Sequence, residues 1–336
     1  MLATVRICDL LSGLSMRNRV ASHLGVGASR QQKADRRNGE KEVNVKKSSA
    51  LVWLSLLVVL LAVAATGSAL FWPGEGAPFL FTTLRGQAVE ISGQGLYRYD
   101  TVFRTPLLRG TDGATLLVGV PLLVLAIVRY RSGSLRGGLL LTGLLAYFLY
   151  HAASLSFGVA YNNLILVYIA YFSASFFAFV LAFTSIDRAT LAGRIAPGLP
   201  HRRFAAFLFL AGLSVFVWLI DIVGGLARGT PPPHLASYTT EITYTLDLGI
   251  IAPAAFLGGV LVLRRAPLGY LIAATLLTLN AMVGVMVVGQ SIAQTLAGIM
   301  LGAVEWVAFV GTFVVMSGIA VWLLTILFRH LADSPR

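Results

Sequence analysis

Residues 51–72 run for 22 positions without one charged side chain. A stretch of that length and polarity belongs inside a bilayer, because about 20 apolar residues in a helix cross its hydrocarbon core. Seven more predominantly apolar stretches follow, at 114–128, 138–157, 164–184, 204–226, 246–263, 268–289 and 304–327. Composition agrees: 57% of residues are hydrophobic and 12% are charged, about half the charge density of a soluble domain. That excludes a soluble globule and a disordered chain, and a single cysteine excludes a disulfide scaffold. The expected fold is an all-α polytopic membrane helix bundle of about eight transmembrane helices, with the lipid bilayer as its first partner.

Lys and Arg resist translocation and collect on the cytoplasmic side of membrane proteins. Of the 26 here, 21 fall on the side of the bundle that holds both termini, ten of them within residues 1–50. The other side receives Arg85, Arg98, Arg104, Arg109 and Arg228, and the net charges become +15 and −3. Both termini are therefore expected in the cytoplasm, which requires an even number of crossings. The same asymmetry accounts for the net charge of +12, so nucleic acid is not an expected partner. Residues 1–50 read as a disordered basic tail able to contact anionic lipid, 51–328 as the membrane domain, and 329–336 as a short cytoplasmic end. Translation from Met16 would remove part of the tail. The first span has small residues near its far end, as a cleaved signal peptide would, but its apolar run is too long for one and reads as a retained anchor. Cys8 stands alone, with no ligand-spaced partner.

Four helices followed by four, each set starting on the same side, form the pattern of a parallel 4+4 repeat. Asp112 precedes Arg129 by seventeen residues and Asp247 precedes Arg264 by the same interval, about one hydrocarbon thickness. Aligning those landmarks pairs Asp112 with Asp247. The same landmarks also have a simpler origin in helix dipoles and the positive-inside bias.

Ionisable groups inside a bilayer are costly, so they default to functional candidates. His151 and Asp221 lie below the interface, Asn280 lies near the midplane, and Asn163, Glu241, Asp247 and Glu305 mark helix ends on the far side from the termini. Together they describe a ligand-binding vestibule of acidic character. Asp247 and Glu305 also suit a purely structural role at helix N-termini. The long outer loop, 73–113, is too long to be a structureless connector and supplies Tyr97, Asp100, Arg104, Arg109 and Asp112 as further candidates. In the third outer loop, a helix would place Thr240, Tyr244 and Asp247 on one face. Tyr and Trp near span ends, including Trp53, Tyr130, Tyr161, Tyr238 and Trp322, read as interfacial belts. Gly298 with Gly302, and the pairs Gly224–Gly225 and Gly258–Gly259, read as close helix packing.

No Walker A, HExxH, CxxC or GxSxG motif is present, and one histidine within the spans argues against a bis-histidine haem. No metal or other cofactor is expected. The runs YRYDT, RGTDG, SFGVAYNN and YTTEITYTLDLGIIAPAAFLGG resemble those of bacterial polytopic inner-membrane proteins to which no activity is attached. The resemblance covers the second to sixth helices and implies a bacterial inner-membrane location.

Three functions compete. The first is a small transporter, or outward-facing binder, of a cation or small polar ligand. The second is a membrane enzyme acting at the outer face on a lipid-linked substrate, with Asp100 and Asp112 as base and metal ligand and Arg104 and Arg109 on phosphate. The third is a sensory or scaffold protein signalling through its tail. The first is the preferred expectation.

Overall fold

The computed structural model describes residues 48–232, 235–299, 302–303 and 306–332. Expectations for the tail and Cys8, for Glu305 and for the last four residues lie outside them. Eight helices are long and apolar enough to cross a membrane, and the chain is an all-α, multi-pass membrane bundle. They are α1 (Ser49–Phe71), α2 (Arg104–Arg131), α3 (Leu135–Gly158), α4 (Ile165–Ser185), α6 (His201–Arg228), α7 (Ile242–Leu263), α8 (Pro267–Leu296) and α9 (Thr312–Arg329), with a short α5 (Arg188–Arg194) between α4 and α6. A two-stranded antiparallel hairpin, β1 (Phe79–Thr82) and β2 (Ala88–Ile91), stands between α1 and α2. It marks one end of the bundle, and the arginine-rich turns mark the other.

Local chemistry sets the ends. Ser48 and Ser134 cap α1 and α3 through their hydroxyls, accepting from Leu51 N–H at 3.3 Å and Gly137 N–H at 3.1 Å. Gly229 closes α6 at a φ of 64°, a conformation glycine adopts without strain. The α3 and α8 helices are the most enclosed of the eight. They pack on each other and run in the same direction, with α2 and α4 against α3, and α7 and α9 against α8.

Helix α2 begins at Arg104, ten residues before the apolar run, so the connector is 73–103 rather than 73–113. A hydropathy scan passes over Arg104–Ala114 because the segment is polar, yet Thr111 and Asp112 are buried against protein. Gly110 lies backbone to backbone against Gly289 of α8. Helix α7 starts at Ile242 with Glu241 as its N-cap, which leaves Thr240 outside the helix and breaks the expected Thr240, Tyr244, Asp247 face.

The two halves share a register that the acid and arginine landmarks miss. A π-helical turn interrupts α2 at Thr115–Gly119 and α7 at Asp247–Ile251. Each is followed by a proline, Pro121 or Pro253, which has no N–H to donate and displaces the carbonyl four residues earlier. The turn after each helix then passes through a left-handed residue, Gly133 at φ 84° or Arg265 at φ 55°. The next helix presses a glycine onto the backbone before that turn, Gly137 at Arg129–Tyr130 or Gly269 at Leu261–Val262. Every pair is 132 positions apart. In this register Asp247 matches Thr115, not Asp112. The seventeen-residue interval is a coincidence of side chains, whereas the π turn, proline, left-handed residue and glycine are coupled features of one backbone path.

Gly258 and Gly259 do pack closely, against Ile272 and Phe209. Gly298 instead ends the turn after α8 at φ 77°. Trp53, Tyr161 and Trp322 are exposed as belt residues should be, but Tyr130 is buried and its hydroxyl accepts the Ser48 N–H at 3.0 Å.

Candidate functional site

Polar side chains from several spans meet in one layer near the hairpin end. Asp112 lies eight residues into α2 and His151 seven before the end of α3, which puts both roughly 10 to 12 Å inside the bundle. They are 0% and 2% exposed. His151 Nε2 is 3.4 Å from Asp112 Oδ1. Tyr97, from the loop after β2, donates its hydroxyl to Asp112 Oδ2 at 2.7 Å. Tyr171 Oη is 3.2 Å from His151 Nδ1, and the Tyr147 ring lies nearly parallel to the imidazole. Tyr147 in turn shares a 2.7 Å hydrogen bond with Thr115, the first residue of the π turn in α2.

A second group closes the hairpin end above this pair. Asp100 Oδ1 accepts from the Tyr238 hydroxyl at 2.7 Å and from Ala160 N–H at 3.0 Å. Burial pushes the Asp100 carboxyl above the ordinary aspartate range, against the opposing pull of Tyr238, Ala160 and Arg104. Burial also raises the hydroxyls of Tyr97, beside Asp112, and Tyr238, beside Asp100, so both stay protonated. Arg104 forms a two-pronged ion pair with Glu241, at 2.5 and 3.2 Å, and lies over the Tyr238 ring. Thr243 donates its hydroxyl to Glu241 at 2.8 Å.

The third group sits on the second half. Asp247 accepts from Trp218 Nε1 at 2.8 Å and from Tyr150 Oη at 3.2 Å. The Tyr244 hydroxyl donates to Asp221 at 3.3 Å. These acids are half-buried.

Other candidates stand apart. Asn280 donates to the Leu276 carbonyl of its own helix at 2.9 Å, a bond that satisfies the side chain locally. Asn163 is exposed, and it is Asn162 that is buried, near Tyr168 Oη at 3.5 Å. Arg109 is exposed and donates to the Leu70 carbonyl at 3.2 Å. Among the described residues no group of three or more His, Cys, Asp or Glu stands close enough to hold a metal ion. An open cleft of about 480 Å³ lies between the hairpin and the loop before α7, lined by Phe79, Phe81, Tyr99 and Phe157 on one side and Ser237 to Thr240 on the other. Arg85 pins the two walls by donating to the carbonyls of Tyr238 and Thr239.

The partners missing from the sequence reading are mostly aromatic. Tyr147, Tyr150 and His151 follow helical spacing on α3, as Tyr168 and Tyr171 do on α4, and that shared face was the available signal. Tyr238, expected in an interfacial belt, is instead the hydroxyl donor that holds Asp100. Comparison of the chain with known protein families, curated proteins and solved structures finds no match.

Proposed function

We propose that the protein is a small transporter, or outward-facing binder, of a cation or cationic polar molecule in the bacterial inner membrane, with both termini in the cytoplasm and the hairpin end outside. The lysine and arginine asymmetry supports the orientation. One observation carries the ligand class: the polar layer is acidic. Asp100, Asp112, Asp221, Glu241 and Asp247 gather there, and within that layer the basic groups paired with them are Arg104, bound to Glu241, and His151, beside Asp112. Asp221 and Asp247 are held by tyrosine and tryptophan donors, with no basic partner among the described residues. Carboxylates at this depth favour an added positive charge.

The alternative, an enzyme acting on a lipid-linked substrate, draws on the aromatic-walled cleft beside the Tyr238 and Ala160 groups that hold Asp100. One set of measurements separates the two. Single cysteines replacing Asp221 or Asp247 in a Cys8→Ser background are expected to react with an impermeant thiol reagent added from outside. A panel of inorganic and organic cations is expected to raise the melting temperature of the purified protein, and Asp221→Asn with Asp247→Asn to abolish that shift. Inert cysteines together with no cation response would sink the binder reading. Stabilisation by polyprenyl phosphate alone would move the assignment to the enzyme.

A further inference from the structure

The Asp112 and His151 pair has a property that binding a cation elsewhere in the layer does not require. Asp112 Oδ1 and His151 Nε2 face each other at 3.4 Å without a formed hydrogen bond, and neither atom has a hydrogen-bond partner among the described residues. Their remaining polar atoms are occupied, Oδ2 by Tyr97 at 2.7 Å and Nδ1 by Tyr171 at 3.2 Å. An imidazole in this setting has two satisfied states. Neutral, it directs its one N–H from Nε2 to the carboxylate and accepts the Tyr171 hydroxyl at Nδ1. Protonated, it donates from both nitrogens, to Asp112 and to the Tyr171 oxygen. The change needs one proton on Nδ1 and a rotation of the Tyr171 hydroxyl, and both states need a small adjustment that brings the facing Nε2 and Oδ1 into hydrogen-bond geometry.

Charge separates the two states. In the first, the enclosed cluster carries the full −1 of Asp112; in the second, imidazolium and carboxylate cancel. A lone charge at this depth is costly, and a cancelled one far less so. The surroundings do little to offset that. Tyr97, Tyr147, Tyr168 and Tyr171 present hydroxyls toward the pair, and Asp100 lies beyond Tyr168. Arg109, on the same helix as Asp112, is exposed and turned to the Leu70 carbonyl. The α1 helix brings no ionisable side chain, and α8 contributes Gln290, which donates to Thr111 at 2.8 Å. Tyr97 belongs to the loop after the hairpin, so the hydroxyl on Asp112 links the enclosed pair to the outer end.

We propose that Asp112 and His151 bind one proton as a unit, and that this proton is the coupling ion of the cation carrier proposed above. The second clause rests on the transport reading, and the first does not.

The test uses the full-length protein in nanodiscs with isotope-labelled histidine, followed by imidazole nitrogen NMR over about pH 5 to 8, the range in which histidine changes charge. His151 is assigned by the loss of its signal in His151→Gln. The expected result is a single step from an imidazole protonated at Nε2 to one protonated at both nitrogens. Asp112→Asn should lower the proton affinity at least tenfold, because it removes the charge that holds the imidazolium. Tyr171→Phe, which keeps the ring, should lower it about threefold, so the proposal stays testable where Asp112→Asn fails to fold. A His151 that holds one state across the range, or a midpoint indifferent to both substitutions, would overturn the proton site. A normal step with cation uptake into liposomes that ignores an imposed pH gradient would overturn the coupling role alone. A normal step with no uptake of any cation would sink the transport reading and leave the proton site standing.

Discussion

Helix α2 in the first half and helix α7 in the second follow one backbone path and carry different chemistry. Both have a π turn, a proline two residues beyond it, a left-handed exit and a glycine pressed back onto the helix by its successor. Yet the position of Asp112 in α2 is occupied by Tyr244 in α7, and the position of His151 in α3 is occupied by Val283 in α8. The π turns themselves open with a polar residue in each half, Thr115 and Asp247. Both find a tyrosine on the same helix, Tyr147 and Tyr150 of α3. The backbone repeats, while the ionisable chemistry converges on α3. Geometry and chemistry in this molecule are separable, and each can be disturbed without the other.

The largest expected effect tests the chemical difference. Asp112→Ala strands His151 and Tyr97 in a sealed site and should cost about 3 to 5 kcal/mol in a denaturant titration in mixed micelles. Asp247→Ala loses two hydrogen bonds at a half-buried site and should cost about 1 to 2 kcal/mol. Equal losses would erase the distinction between the halves. Next comes the shared geometry. A Cβ on Gly137 or on Gly269 would run into the preceding helix's backbone, so Gly137→Ala and Gly269→Ala should each cost about 2 kcal/mol. Values differing severalfold would show that the two backbones are not equivalent.

The exits from α2 and α7 give a smaller and opposite pair. Gly133 takes its left-handed conformation freely, and Arg265 takes it against its side chain. Gly133→Ala should therefore destabilise by about 1 kcal/mol, and Arg265→Gly should stabilise by up to about 1 kcal/mol. The smallest effect is a pH slope. Because burial raises the Asp100 carboxyl, the folded protein holds that proton more tightly than the unfolded chain does. Its contribution is complete below the ordinary aspartate value of 3.8 and is lost as pH rises through the raised folded value. Acidifying from neutral pH should raise the melting temperature slightly, and Asp100→Asn should flatten that slope. Asp187, at the other end of the bundle, has the opposite sign: the Thr190 hydroxyl and N–H hold it low, so its contribution is present above 3.8 and lost as pH falls through the lowered value.

The eight spans were legible because hydrocarbon imposes a length and a polarity that no other environment demands together. The polar start of α2 was not, since Thr111 and Asp112 face protein and a hydropathy scan assumes lipid. His151 and Asp112 were each visible as ionisable groups. Their meeting was not, because it depends on α2 starting ten residues before its apolar run, which carries Asp112 into the bundle beside α3. The π turns left only Pro121 and Pro253 as traces, and a proline in a membrane helix has several outcomes. Register 132 needed those turns, since few side chains repeat between the halves. Asn163 and Asn162 differ by one position at the start of α4, below the resolution of any pattern argument.

The hairpin has a bearing on where the bilayer sits. Phe79, Leu80, Phe81 and Leu84 are all exposed on a segment outside the spans. Exposed apolar and aromatic side chains just beyond the spans favour the headgroup region, where they act as a float. Seated there, they would hold one end of the protein at a fixed depth as the membrane's thickness changes. In a thinner bilayer the mismatch would then fall on the opposite end, where the arginines of the turns after α2 and α7 can extend toward the headgroups, leaving the polar layer under the hairpin at constant depth.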